Sequence, residues 1–562
     1  MKLRKFYKIL LVLVVGGIVL AGGAYGAYKG YRAWRQARLV DQAREFLEKG
    51  EQRKALISLQ RALSINNRDI DAVRMMAGLA EASRSQAALV WRHRAVELQP
   101  NSLNDRLALA QAAAMFRDFT AATNALAGVD AEGQKTSAYQ NVAGGVASTM
   151  GRLAEAEQHF LTAAKLEPEN PFIRLNLSVI RLQSTNEASI ADARTTLTAI
   201  TTTATNSNLR CRALRELIGN SIRTGDTNAA MSLADQLLKE PDATFTDRLM
   251  RLDVLGLSRN TEFLPALTEA RNLATNSPAT INEIVLWQMS KIPPPRTLEW
   301  IQTLPVETQT NASLALMTSD LRVAVQDWTG LASSLETQRW GDLEFIRLAF
   351  RTLALRRQNL NSAADAEWAQ AIKAASAGKG QLEMLLRTVA GWRWPNEMRE
   401  ILGIIVGRYP GETWASSLLT QNLMSEGQTR PLLALFRQQL AANPKDPSHK
   451  NNVAMTALLL EETALKPHDL ALEVYQSQPT NAAFASTYAF SLYLQQKHAE
   501  ALQVIEKLDA DQLKDPSVAG YYGLILAANG KGAEARPYFA LTTNTVALPE
   551  ERRLFDRAAA GL

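Results

Sequence analysis

Apolar positions along this chain follow a helical period, and the helices themselves recur. Residues 482–512 align with residues 516–546 at an offset of 34. Tyr488 falls on Tyr522, Ala489 on Gly523, Lys497 on Lys531, and Ala499-Glu500-Ala501 on Ala533-Glu534-Ala535. A fixed period of this length is the mark of stacked supersecondary units, each unable to bury its apolar stripe alone. The small residue opening the second helix of each unit is Ala501, then Ala535. It recurs at Ala55, Ala88, Ala122 and Ala156, at steps of 33, 34 and 34, and at Ala193 and Ala230, at steps of 37.

The punctuation agrees with this register. Gly50, Gly151, Gly225 and Gly530 each stand five residues before a landmark alanine, where a left-handed residue ends the first helix. Pro100, Pro168 and Pro444 stand twelve residues after Ala88, Ala156 and Leu432, where proline marks the turn between units. The Thr-rich run 201–208 is poor in helix formers and predicts a longer surface loop; a second insertion is predicted at 461–468. From 276 to 411 the register fades while helical stripes persist, as at Leu382, Leu385, Leu386 and Val389. Pro293-Pro294-Pro295 breaks this part, as a loop between helix pairs or as a hinge.

These residues resemble the tetratricopeptide repeat (TPR) family. The best match is 137–170, with Gly144 in the first helix, Gly151 at the turn, Ala156, Phe160 and Ala163 in the second helix, and Pro168 at the end. Residues 516–546 follow closely with Tyr522, Gly523, Gly530, Ala535 and Phe539; Arg174-Leu175-Asn176-Leu177 and Asn451-Asn452-Val453-Ala454 resemble the family's first-helix stretch. The resemblance covers 36–260 and 427–546. It implies an all-α, right-handed superhelical solenoid of helix-turn-helix repeats, and it implies protein or peptide binding far less specifically, since helix packing sets the pattern.

One stretch departs from the pattern. Residues 9–28 hold no charge, about the length a helix needs to cross a bilayer. Tyr25, Tyr28, Tyr31 and Trp34 follow at its border. A single transmembrane helix is the expectation; a cleaved signal peptide is the rival reading. Gly22, Gly26 and Gly30 give a small-residue stripe that suits close helix packing and a homodimer, although glycine is common in such segments. The predicted organisation is a basic tail at 1–8, the membrane helix at 9–28, a first repeat array at 29–275, a divergent helical middle at 276–411 and a second array at 412–562.

Composition changes this picture little. The chain has 562 residues, 46% hydrophobic and 21% charged, which suits packed helices rather than disorder. Its net charge of +6 is misleading. Eight of the 62 Lys and Arg precede residue 39, and removing them leaves 54 against 56 Asp and Glu. A basic terminus beside an apolar run points to a membrane surface and away from nucleic acid. Four positives on each side of the run leave orientation undecided by charge; a short tail usually stays in the cytoplasm, placing the body on the periplasmic side of a bacterial inner membrane. The lone Cys211 excludes an internal disulfide.

No catalytic, metal or cofactor site is expected. The histidines His93, His159, His449, His468 and His498 form no metal spacing, and Gly378-Lys379-Gly380 lacks the glycine and hydroxyl of a phosphate loop. Eight of ten tryptophans lie between Trp287 and Trp414. Trp392, Arg393 and Trp394, with Arg347 and Arg351, form the candidate partner site, because aromatics and arginine dominate binding hot spots. Filling of wider gaps in the core explains the same residues. Asn141 and Asn176 are the nearest candidates for clamping a partner's carboxylate. The reading is a membrane-tethered scaffold for protein partners, in envelope assembly or export; a glycan-binding accessory of polysaccharide export is the alternative.

Overall fold

A computed structural model describes residues 28–543 and 546–562. Every regular element among them is helical. The chain divides into two compact units, the first ending at Ile284 and the second running from Val285 to Leu562. The divergent middle therefore has no separate core from residue 285 onward.

In the first unit the helices pair as antiparallel hairpins, such as Ile70–Ala82 with Ala87–Leu98 and Ser137–Thr149 with Leu153–Leu166. Ala55, Ala88, Ala122, Ala156, Ala193 and Ala230 are all fully buried, as close crossings require. Gly50, Gly151 and Gly225 are left-handed, with φ of +73°, +79° and +77°. Arginine–carboxylate pairs join successive hairpins. Arg74 donates to both oxygens of Asp105, at 2.9 and 2.7 Å, and Arg215 to both of Asp247, at 2.7 and 2.8 Å. The core includes a series of separate clusters, and Cys211 is buried in one of them.

The second unit follows the same rule with larger side chains. Its core is continuous from Ala315 to Phe555. The faded register is still present there. Leu331 and Ala364 are fully buried at the crossing, Met398 is packed against the core, and Leu432 is 1% exposed. Gln326, Asn359 and Arg393 stand five residues before the first three, with φ of +59°, +61° and +58°. Polar residues adopt the left-handed turn that glycine takes elsewhere, which hid the register from a search for glycine and alanine.

One loop expectation is corrected. The Thr-rich run belongs to the helix Glu187–Thr203, and Asn206 caps the next helix, Ser207–Arg223. Thr201, Thr202 and Thr203 donate to the carbonyls of Thr198 and Ala199, and Thr201 is buried, so tertiary packing overrides weak propensity. Gly378 is the N-cap of the helix Lys379–Gly391, which Lys379 and Gly380 open. The Pro293–Pro295 run separates Pro278–Lys291 from Pro294–Gln302 and opens the latter, where proline's fixed φ suits a first turn. The insertion before Ala471 is a single 3-10 turn, Thr463–Leu465, followed by left-handed Lys466.

Gly22, Gly26 and the stretch 9–27 lie outside the described residues. Gly30 lies on a helix spanning 28–48, and a Cβ there would meet nothing within 4 Å. Among the described residues no helix is long and apolar enough to cross a membrane.

A candidate partner-binding trough in the second unit

The first helices of four successive hairpins are Thr413–Ser425, Pro447–Leu459, Ala482–Leu494 and Pro516–Ala528. Three of them carry no charged residue on any face, and the fourth carries only Lys450 and His449. Ala482–Leu494 and Pro516–Ala528 bury eight and nine residues, so each is covered on more than one side. One side packs on the hairpin partners. Another borders three confluent cavities of about 590, 550 and 310 Å³. The first two share Ser417, Gln439 and His449; the first and third share Thr420, Met424, Phe436 and Asn452.

The chemistry of this trough is neutral. Hydroxyls and amides line it beside Met424 and Phe436, and its only acid is Glu551. Three buried polar atoms have no hydrogen-bond partner: Asn451 Oδ1, Ser486 Oγ and His449 Nδ1. Asn451 is 7% exposed and Ser486 2%, and both line the third cavity. His449 Nδ1 lies 4.0 Å from Asp446 Oδ2, outside hydrogen-bond reach. Asp446 holds this helix start by accepting from the N–H groups of Ser448 and His449, at 2.8 and 3.3 Å. Asn451 Oδ1 accepts, the Ser486 hydroxyl accepts or donates, and His449 Nδ1 does either according to its tautomer, so these atoms offer polar partners to a group brought in from outside.

The residues picked from sequence lie elsewhere. Trp392 packs edge-on against Phe350 and Trp394, with ring centroids 5.1 Å apart in both pairs, and Trp394 packs edge-on against Trp368 at 6.2 Å. Arg356 lies over Trp394 at 4.4 Å and pairs with Glu397 at 2.6 Å. Arg393 is the left-handed joint between Lys379–Gly391 and Pro395–Arg408, and its side chain is exposed. Arg351 bridges Glu367 and Glu336 at 2.5 and 3.2 Å. Arg347 is 4% exposed and donates to Glu344 and to the Leu335 carbonyl, at 2.7 and 2.5 Å, which removes it from any surface set.

In the first unit, Asn176 donates to Asn141 at 2.9 Å, and Arg212 reaches Asn176 at 3.4 Å. Sequence reasoning missed Arg212, although it stands 36 residues beyond Asn176, one step of the register. It also missed the trough. The available signal was the lack of charge along three of four first helices, together with Asn451-Asn452 in the fourth. Among the described residues no three or more His, Cys, Asp or Glu are placed to hold a metal ion.

No family model and no curated protein matches this chain. Several solved structures resemble it. A tetratricopeptide repeat protein from Parabacteroides merdae is 14% identical, over 42% of this chain and 93% of that one, with a TM-score of 0.34. The pilF protein of Pseudomonas aeruginosa is 16% identical, over 40% and 98%, with a TM-score of 0.30. The Cut9–Hcn1 assembly of the APC/C gives 12%, over 93% and 96%, with a TM-score of 0.27. Scores this low leave the fold to be read from the hairpins themselves. Buried landmark residues, a left-handed joint five positions before them, and glycines facing Phe160 and Phe539 give this chain a tetratricopeptide-repeat-type fold.

Proposed function

We propose that the protein is a membrane-tethered scaffold whose second unit holds an extended, largely uncharged segment of a protein partner in the trough. The observation that carries this reading is the pair of unsatisfied polar atoms, Asn451 Oδ1 and Ser486 Oγ, lining one of its cavities. An extended strand presents backbone N–H groups at regular spacing whatever its side chains, and so suits acceptors in a neutral channel. Among the described residues the aromatic side chains lining the trough are Phe436 and Tyr521, and the exposed tryptophans that would favour a glycan reading do not line it. The uncharged run 9–28 supplies the tether in this reading, with the body on the non-cytoplasmic side and Gly22, Gly26 and Gly30 available for pairing of two copies.

A photo-crosslinking residue at Thr420 or Gln421, in intact membranes, tests the reading. Adducts with one protein are expected at these sites and not at Arg437, an exposed position on the neighbouring helix. Ser417→Trp, which fills the trough, is expected to abolish them. Adducts of equal yield at Arg437, or adducts untouched by Ser417→Trp, would overturn the proposal. Protease accessibility in spheroplasts tests the orientation: a body digested only after lysis would place it in the cytoplasm.

A further inference from the structure

The helix Pro549–Ala560 begins 33 residues after Pro516, one step of the register, and packs on both helices of the last hairpin. It turns back across hairpins that precede it by as much as 121 residues. Pro549 sits over left-handed Gly427, with its Cγ 2.8 Å from where a Cβ would be. Glu550 accepts from the Thr429 hydroxyl at 2.5 Å, and Glu551 accepts from the Tyr521 hydroxyl. The Phe555 ring fills the space left by the missing side chain of Gly520 and packs edge-on against Tyr521, centroid to centroid 5.2 Å. Leu562 reaches Gly532, and Arg536 donates to its carbonyl. The seat thus runs from the turn of one hairpin to the turn of the third hairpin beyond it.

The occupant is unlike the helices it covers. Six of its twelve residues are charged, and Phe555 is its one buried side chain. The helix Pro516–Ala528 beneath it has no charge and buries nine residues. Nor is the seam closed. A cavity of about 320 Å³ lies between Leu554, Arg553 and Arg557 on the helix and Leu459, Phe490 and Leu494 on the repeats. On the opposite flank Glu551 borders the trough. The helix is thus flanked by an open cleft on one side and by the trough on the other, and it meets the repeats through Phe555 and its two ends.

We propose that this seat is a docking surface for a partner's amphipathic helix, and that Pro549–Ala560 is the resident helix it displaces. The seat states the chemistry of that partner. Two hydroxyl donors, Thr429 and Tyr521, take carboxylates in a first turn, and the slot at Gly520 takes an aromatic ring four residues after the second carboxylate. The Tyr521 hydroxyl is held protonated by burial, with its pKa raised well above the ordinary value, so it serves as a donor throughout the neutral range. This inference does not rest on the trough reading.

The probe is a fluorescent peptide with the sequence of residues 546–562, titrated into full-length wild type, the full-length Phe555→Ala variant, and the chain ended after Thr543. Saturable binding at least tenfold tighter to Phe555→Ala and to the shortened chain than to wild type is expected. An unrelated helical peptide keeping only the two acids and the phenylalanine is expected to bind within tenfold of the first, and the same peptide with alanine for phenylalanine is expected not to bind. The Phe555→Ala chain keeps the test valid if the shortened chain fails to fold. Equal binding to wild type and Phe555→Ala, or no binding to Phe555→Ala with its helical signal intact, would overturn the proposal. A concentration-dependent wild-type dimer with exchanged helices would overturn it in favour of a second copy as occupant.

Discussion

Gly144 and Gly145 are adjacent on the helix Ser137–Thr149, and their surroundings set opposite outcomes for the same substitution. A Cβ on Gly144 would lie 2.9 Å from Cε1 of Phe160 and 3.0 Å from Cδ1 and Cζ; one on Gly145 would meet nothing within 4 Å. Carbon contacts settle near 3.5–4.0 Å, so the ring must withdraw by about 0.5–1 Å. Phe160 is 4% exposed among Ala147, Leu177 and Ile180, which leaves it little room. Overpacking of this kind costs about 1–3 kcal/mol, while alanine for glycine within a helix gains about 1 kcal/mol. Gly145→Ala is therefore expected to stabilise by about 1 kcal/mol and Gly144→Ala to lie about 1–3 kcal/mol below it. Long arrays do not unfold in one step, so native-state hydrogen exchange over Ser137–Thr149 and Leu153–Leu166 is the assay. The gap corresponds to about 5- to 150-fold in opening constant. Equal protection in the two variants would refute the packing argument. Gly523, whose Cβ would lie 3.2 Å from Phe539, is expected to give a milder version.

The other predictions concern joints, crossings and buried charge. Gln326→Gly and Arg393→Gly relieve left-handed strain of about 1–2 kcal/mol while adding flexibility to the unfolded chain, for a net gain of about 0.5–1 kcal/mol. Asn359→Gly is expected to gain less, because asparagine tolerates that conformation; tryptophan-monitored urea unfolding of the second unit ranks the three. Ala156→Trp, at a fully buried crossing, is expected to cost about 1–3 kcal/mol, and an unchanged melting curve would refute the register. Burial pushes the Asp247 carboxyl up, but Arg215 and the N–H and hydroxyl of Thr244 outweigh it and hold the pKa below the ordinary value. Its contribution is complete above the unfolded value, near 4, and is lost as pH falls through the lower folded value. Asp247→Asn is expected to destabilise the first unit by about 3 kcal/mol at pH 7 and to flatten its stability profile below about pH 4, read by acid titration of helicity.

The hairpin and its period were legible because they are local. Alanine at a crossing, glycine at a left-handed joint and proline after the second helix each answer a constraint within about twelve residues, and Ala55, Ala156, Gly151 and Gly530 stand where those constraints put them. The middle was illegible for an equally local reason. Leu331 and Met398 replace alanine, and Gln326 and Arg393 replace glycine, so the conformation is kept while the letters change. Tryptophans there interlock with one another and with Phe350, contacts a list of exposed-looking aromatics does not reveal. Repeat period, helix ends and the uncharged terminal run follow from residues near in sequence. The trough and the seat of Pro549–Ala560 belong to the tertiary structure alone. They arise where first helices from four hairpins, three of them uncharged, are brought side by side, and a pairing such as Thr429 with Glu550, across 121 residues, has no local energetic trace for a sequence to carry.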